Sequence, residues 1–75
     1  MKELLETITR NLVDNPDAVI VNQVQDGNST ILELKVAPED TGKVIGKQGR
    51  VAKAIRTVIK AAAAHHDKKV TVKIV

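Results

Sequence analysis

Gly46 and Gly49 stand three residues apart in the stretch VIGKQGR, between segments that otherwise favour helix. Glycine inside a helix is less favourable than alanine by roughly 0.8–1 kcal/mol. The pair therefore predicts a break: either a tight joint between two helices, or a loop whose bare backbone approaches something charged. Two short helices replace one long one, and the rest of the chain must supply what they pack against.

The remaining pattern supplies it. Lys2 to Asp14 carries Leu4, Leu5, Ile8, Leu12 and Val13 at helical spacing. The DNPD that follows is expected to end this helix, because the residue before Pro16 is pushed out of helical geometry. Ala18 to Gln25, rich in Val and Ile, reads as a strand, and Asp26 to Ser29 as a hairpin turn. From Thr30 to Val36 apolar Leu32, Leu34 and Val36 alternate with Glu33 and Lys35, a strand with one buried side. Pro38 pre-sets a helix start and Glu39 and Asp40 suit its first turn, but this helix runs out at Gly46.

The next helix runs from about Gly49 to His65. At 100° per residue Val51, Ile55, Val58, Ile59 and Ala62 form its packing stripe, and Arg50, Lys53, Arg56 and Lys60 fill the adjoining arc. Val70, Val72 and Ile74 alternate with Thr71 and Lys73 as a last strand. The predicted class is α+β in the order α-β-β-α-α-β, with a three-stranded mixed sheet covered on one face by helices. A right-handed crossover lays the last strand parallel to the second. Seventy-five residues make one domain, 1–75, with a core small enough to gain from dimerisation.

Charge narrows the function. Between Thr41 and Lys60 lie six basic residues and no acid, while the rest of the chain holds the other six basic residues and all nine acids. Solvated helix faces mix both signs, so this separation predicts a surface for an anionic partner. With no cysteine there is neither a disulfide nor a thiolate metal site. The MKELLETITR segment mixes acids with its apolar residues and reads as neither a signal peptide nor a membrane span; a cytoplasmic location is expected.

A phosphate suits the glycine loop. Gly46 and Gly49 let the backbone approach an anion, the N–H groups opening the second helix point at it, and Lys47 and Arg50 add charge at the rim. Nucleotide hydrolysis is excluded on spacing. Three residues, not four, separate Gly42 from Gly46, and Gln48 stands where a magnesium-binding hydroxyl is needed. The dinucleotide-binding glycine pattern is absent too.

VIGKQGR between two helices, followed by Val51, Ala54 and Ile55, resembles the V-I-G-x-x-G signature of the KH domain, an RNA-binding module. The element order is similar to the type II arrangement of that domain, and the length to the small stand-alone bacterial KhpA family. The resemblance spans the whole chain. It implies single-stranded RNA clamped by Gly46, Lys47, Gln48 and Gly49, about four nucleotides at a time, with Ile45 bordering an apolar groove. That groove would lie between the loop-bearing helices and an edge strand, Val70 to Val75. Lys47 and Gln48 are the expected contact residues, and Arg50, Lys53 and Lys43 the expected phosphate anchors. Arg56, Lys60, Lys68 and Lys69 stand either as further contacts or as solvated charges.

The complete lack of Phe, Tyr and Trp fits this resemblance, because other small RNA-binding folds stack bases on aromatic rings. Adjacent His65 and His66 point about 100° apart on a helix and lack further ligands, so no metal site is expected. No residues form a catalytic constellation, and no cofactor is expected. The resemblance also implies dimers, with a second copy or with another KH protein. The rival reading keeps the KH fold as a protein-interaction module whose loop touches no RNA. A third mode, duplex binding by the basic helix, differs from the first in its competitor.

Overall fold

The hairpin expected around Gly27 is formed in the computed structural model of the chain, which describes residues 1–75. β1 (Ile20–Asp26) and β2 (Ser29–Lys35) pair antiparallel from Ile20↔Lys35 to Asp26↔Ser29, leaving Gly27 and Asn28 as the connection. Gly27 has φ 60° and Asn28 does not share the positive sign, the pattern of a type II′ turn, whose twist matches that of the strands. β3 (Lys69–Ile74) pairs parallel to β2, with Leu32 beside Val72 and Leu34 beside Ile74. The mixed sheet has the order β1-β2-β3, so β3 is an edge strand. The crossover between β2 and β3 contains α2 (Thr41–Ile45) and α3 (Arg50–Ala64).

Strand alternation sends Val21, Leu32, Leu34 and Val72 to one face, where they are buried against Leu5, Val44, Ile55 and Ile59. Each such aliphatic side chain removed from water contributes about 1.5–3 kcal/mol. The opposite face carries exposed Asn22, Val24, Lys35, Thr71 and Lys73. No helix is long and apolar enough to cross a membrane.

Three local expectations are corrected. α1 spans Lys2–Arg10 and stops four residues before Asp14. The Thr9 carbonyl accepts N–H groups from both Leu12 and Val13, and the N–H groups of Asp14 and Asn15 then leave for the Asp40 carboxylate. Leu12 is consequently 41% exposed rather than in the core. β1 begins at Ile20, not Ala18, because Pro16–Ala18 forms a 3-10 turn.

On α3 the buried stripe is Ala52, Ile55, Ile59 and Ala63, while Val58 is 48% exposed and Val51 and Ala62 are half-buried. Apolar weight ranks Val58 above Ala52, but a helix lying close over a sheet needs small side chains beneath it. α3 ends in a Schellman arrangement: Lys68 N–H donates to Ala63 O at 3.0 Å and Asp67 N–H to Ala64 O at 3.2 Å. Asp67 takes the left-handed position, φ 52°, that glycine fills at no steric cost.

Candidate nucleic-acid interface

α2 ends where Gly46 turns to φ 75° and ψ 176°, after its N–H has closed the last turn on Gly42 O at 2.8 Å. Gln48 (φ 58°) and Gly49 (φ 73°) follow in the left-handed region before α3 begins at Arg50. Lys47 and Gln48 open the 3-10 turn Lys47–Gly49 after non-helical Gly46, so their N–H groups have no acceptor within it. Both side chains are exposed, and Ile45 beside them keeps 38% of its surface in solvent. Turns with successive free N–H groups form anion-binding concavities, and the start of α3 adds its partial positive charge. Gly46 is locked in place by packing: a Cβ there would lie 2.9 Å from the backbone nitrogen of Val51.

The basic side chains divide among three places. Lys53, Arg56 and Lys60, at helical i, i+3 and i+7 spacing, share one flank of α3. Arg56 Nε donates to Val72 O across a gap of 3.3 Å, so this flank faces the edge strand β3. Between them runs a trough of about 300 Å³ lined by Arg56, Lys60, Val70, Thr71 and Val72. It continues into a hollow of about 400 Å³ that adds Ser29, Lys68 and Lys69. No carboxylate lies within 4.0 Å of Lys47, Lys53, Arg56 or Lys60, so this charge is uncompensated.

Arg50 goes elsewhere. It donates to Gln48 Oε1 at 3.3 Å and lines an apolar cleft of about 330 Å³ between α1 and α3, with Ile8, Leu12, Val51, Ala54 and Val58. Lys43 is also engaged, by Asp14 and, at 3.9 Å, by Asp40 Oδ1. The hydrogen bond to Asp14 holds its ammonium above the ordinary lysine value. Asp40 is fully buried, and its two oxygens accept the N–H groups of Asp14 at 3.2 Å and Asn15 at 3.0 Å. Lys43 thus belongs to a clamp between α2 and the segment after α1.

Ile45, Gly46, Lys47, Gln48 and Gly49 accordingly share the loop, Arg50 is bonded to it through Gln48 while lining the apolar cleft, Lys53 stands on the trough side of α3, and Lys43 is turned to the two carboxylates. Sequence reasoning left Arg56 and Lys60 undecided, while the resemblance set the groove against the edge strand Val70 to Val75, three of whose residues, Val70, Thr71 and Val72, wall the trough. For the two basic residues the only signal available was their i, i+4 spacing, which does not say which neighbour a helix flank meets.

The family model for the KH domain of KhpA/KhpB matches residues 2–74. A protein named RNA-binding protein KhpA from Clostridium acetobutylicum is 68% identical over 75 residues, covering the whole of both chains. Its namesake from Caldanaerobacter subterraneus is 63% identical, again over both whole chains. Among solved structures, Aquifex aeolicus Era bound to GDP.AlF4- superposes with a TM-score of 0.61 at 17% identity. Era in complex with MgGDPNP and nucleotides of 16S ribosomal RNA gives a TM-score of 0.62, also at 17% identity. Both superpositions cover 97% of this chain but only 28% of Era, and they bear on the fold alone.

Proposed function

The chain belongs to the KhpA/KhpB family of KH domains, and from that premise we propose that it binds single-stranded RNA through the Gly46–Gly49 loop and the trough beside it. The observation that carries this reading is the loop itself. Two exposed side chains, Lys47 and Gln48, sit between positive-φ glycines with their backbone N–H groups free, just before the helix whose flank holds uncompensated Lys53, Arg56 and Lys60. The sugar-phosphate backbone passes over the loop while bases enter the α3–β3 trough. Without aromatic rings to stack on, a single copy binds modestly. The protein acts by binding and not by catalysis, in the cytoplasm, in post-transcriptional regulation or as an RNA chaperone.

Pairing belongs to the same proposal. A homodimer, or a heterodimer with another KH-type RNA-binding protein, would present two loops and raise affinity by avidity. The uncovered cleft holding Leu12 and Val58 supports it, since it lies on the opposite flank of α3 from the trough.

Strand competition tests the RNA reading. A labelled single-stranded RNA is titrated with the protein, then challenged with unlabelled single-stranded RNA and with duplex DNA. Displacement by the single strand alone is expected, whereas equal displacement by duplex would assign binding to the basic helix.

A further inference from the structure

Among the basic side chains of α3, only Arg56 bonds across the trough to its opposite wall. β3 is an edge strand, and Val75 N–H donates to Leu34 O on β2 at 2.9 Å, so Val72 turns its carbonyl the other way, to the free edge. There it is taken by Arg56 Nε at 3.3 Å. A guanidinium carries five N–H donors in a planar fork. With Nε committed, the two Nη groups remain, and neither a carboxylate nor a carbonyl of the protein accepts from them. The anchored plane therefore offers a paired donor in the trough, at a point where a bare edge strand would offer the acceptor of Val72.

We propose that Arg56 is a specificity-determining residue that reads a base in the α3–β3 trough and selects bases presenting two adjacent acceptors. Guanine does so with O6 and N7, and cytosine with O2 and N3. Adenine sets its amino group beside each ring acceptor on its pairing edges, and uracil sets N3–H between its two carbonyls. Either would face a donor with a donor. The inference rests on the RNA-binding reading above and adds base choice to it. A plain phosphate anchor at Arg56 would act alike on every sequence. Lysine at this position would keep the charge but lose the fork.

The test compares short single-stranded RNAs of adenine and uracil with the same strands carrying one guanine or cytosine at each position in turn. Fluorescence anisotropy is read for the wild type and for Arg56→Lys. The wild type is expected to favour a guanine or cytosine at one position by about fivefold or more. Arg56→Lys is expected to lose that preference, binding the guanine- or cytosine-bearing strand no more tightly than the adenine–uracil strand. On the wild type alone, and so independent of how the variant folds, the arginine Nη resonances of Arg56 should shift with the preferred strand and not with the other. Absence of a preference in the wild type, its survival in a folded Arg56→Lys, or an equal loss across all strands would overturn the proposal and leave RNA binding standing. Failure of the wild type to bind any single strand would overturn both.

Discussion

A methyl group added at Gly46 would press on the Val51 backbone and side chain, whereas one added at Gly49 would meet nothing within 4 Å. The two glycines share positive φ but differ in why they are glycine. Gly46→Ala combines overpacking against backbone with strain in a positive-φ, extended-ψ conformation essentially confined to glycine, together roughly 2–6 kcal/mol. Gly49→Ala carries only a left-handed Cβ penalty, about 1–2 kcal/mol. Thermal melts should rank them so, with about 4–8 °C lost per kcal/mol in a domain of this size. Asp67 offers the converse case. Asp67→Gly relieves the left-handed cap and should raise the melting temperature, by the equivalent of about 1 kcal/mol. The glycine pair was legible in the sequence because glycine announces positive φ. Gln48 and Asp67 were not, since neither residue type announces the left-handed conformation it holds here.

At the scale of elements, alternation and helical spacing are local properties, and they gave the order α-β-β-α-α-β; the right-handed crossover rule added the parallel pairing of β3 to β2. What they missed depends on partners distant in sequence. α1 ends early because Asp40, 26 residues beyond Asp14, captures the N–H groups that would continue the turn. The buried stripe of α3 shifted towards Ala52 and Ala63 because the sheet beneath decides which side chains fit. Lys43 was read as a phosphate anchor from its charge and position, with no local sign that two carboxylates would occupy it.

The clamp makes its own prediction. Asp40→Asn turns one of two buried acceptors into a donor facing an N–H, which costs about 1–3 kcal/mol of stability. Asp14→Asn removes only the exposed bond to Lys43 and should cost much less, because such pairs are weak and screened by salt. Its sign with pH follows from the raised lysine. The pair stabilises fully below the ordinary value of 10.5 and is lost as pH rises through the higher folded value. The gap between wild type and Asp14→Asn, measured by denaturant melts, should hold at neutral pH and close above 10.5.

Across the whole molecule, α3 separates two surfaces. Its basic flank meets β3 and its apolar flank meets α1, so RNA and a second protein chain would approach from different sides. Leu12→Asp, at a site already 41% exposed, should leave the fold and the loop intact while lowering the mass seen by light scattering to that of a monomer. An unchanged mass would remove that cleft from the dimer account. The uneven charge that first pointed to an anionic partner was legible as a sum along the chain. Its division between the trough and the Arg50 side of α3 needed the fold.

The most direct measurement is binding of single-stranded RNA by the wild type and by the double variant Lys47→Asp, Gln48→Asp, each shown folded by circular dichroism. Two carboxylates set beside the free N–H groups of the loop should abolish binding while the melting curve stays close to that of the wild type. A folded double variant that binds RNA as tightly as the wild type would contradict the account and reduce Gly46 and Gly49 to a joint between two helices.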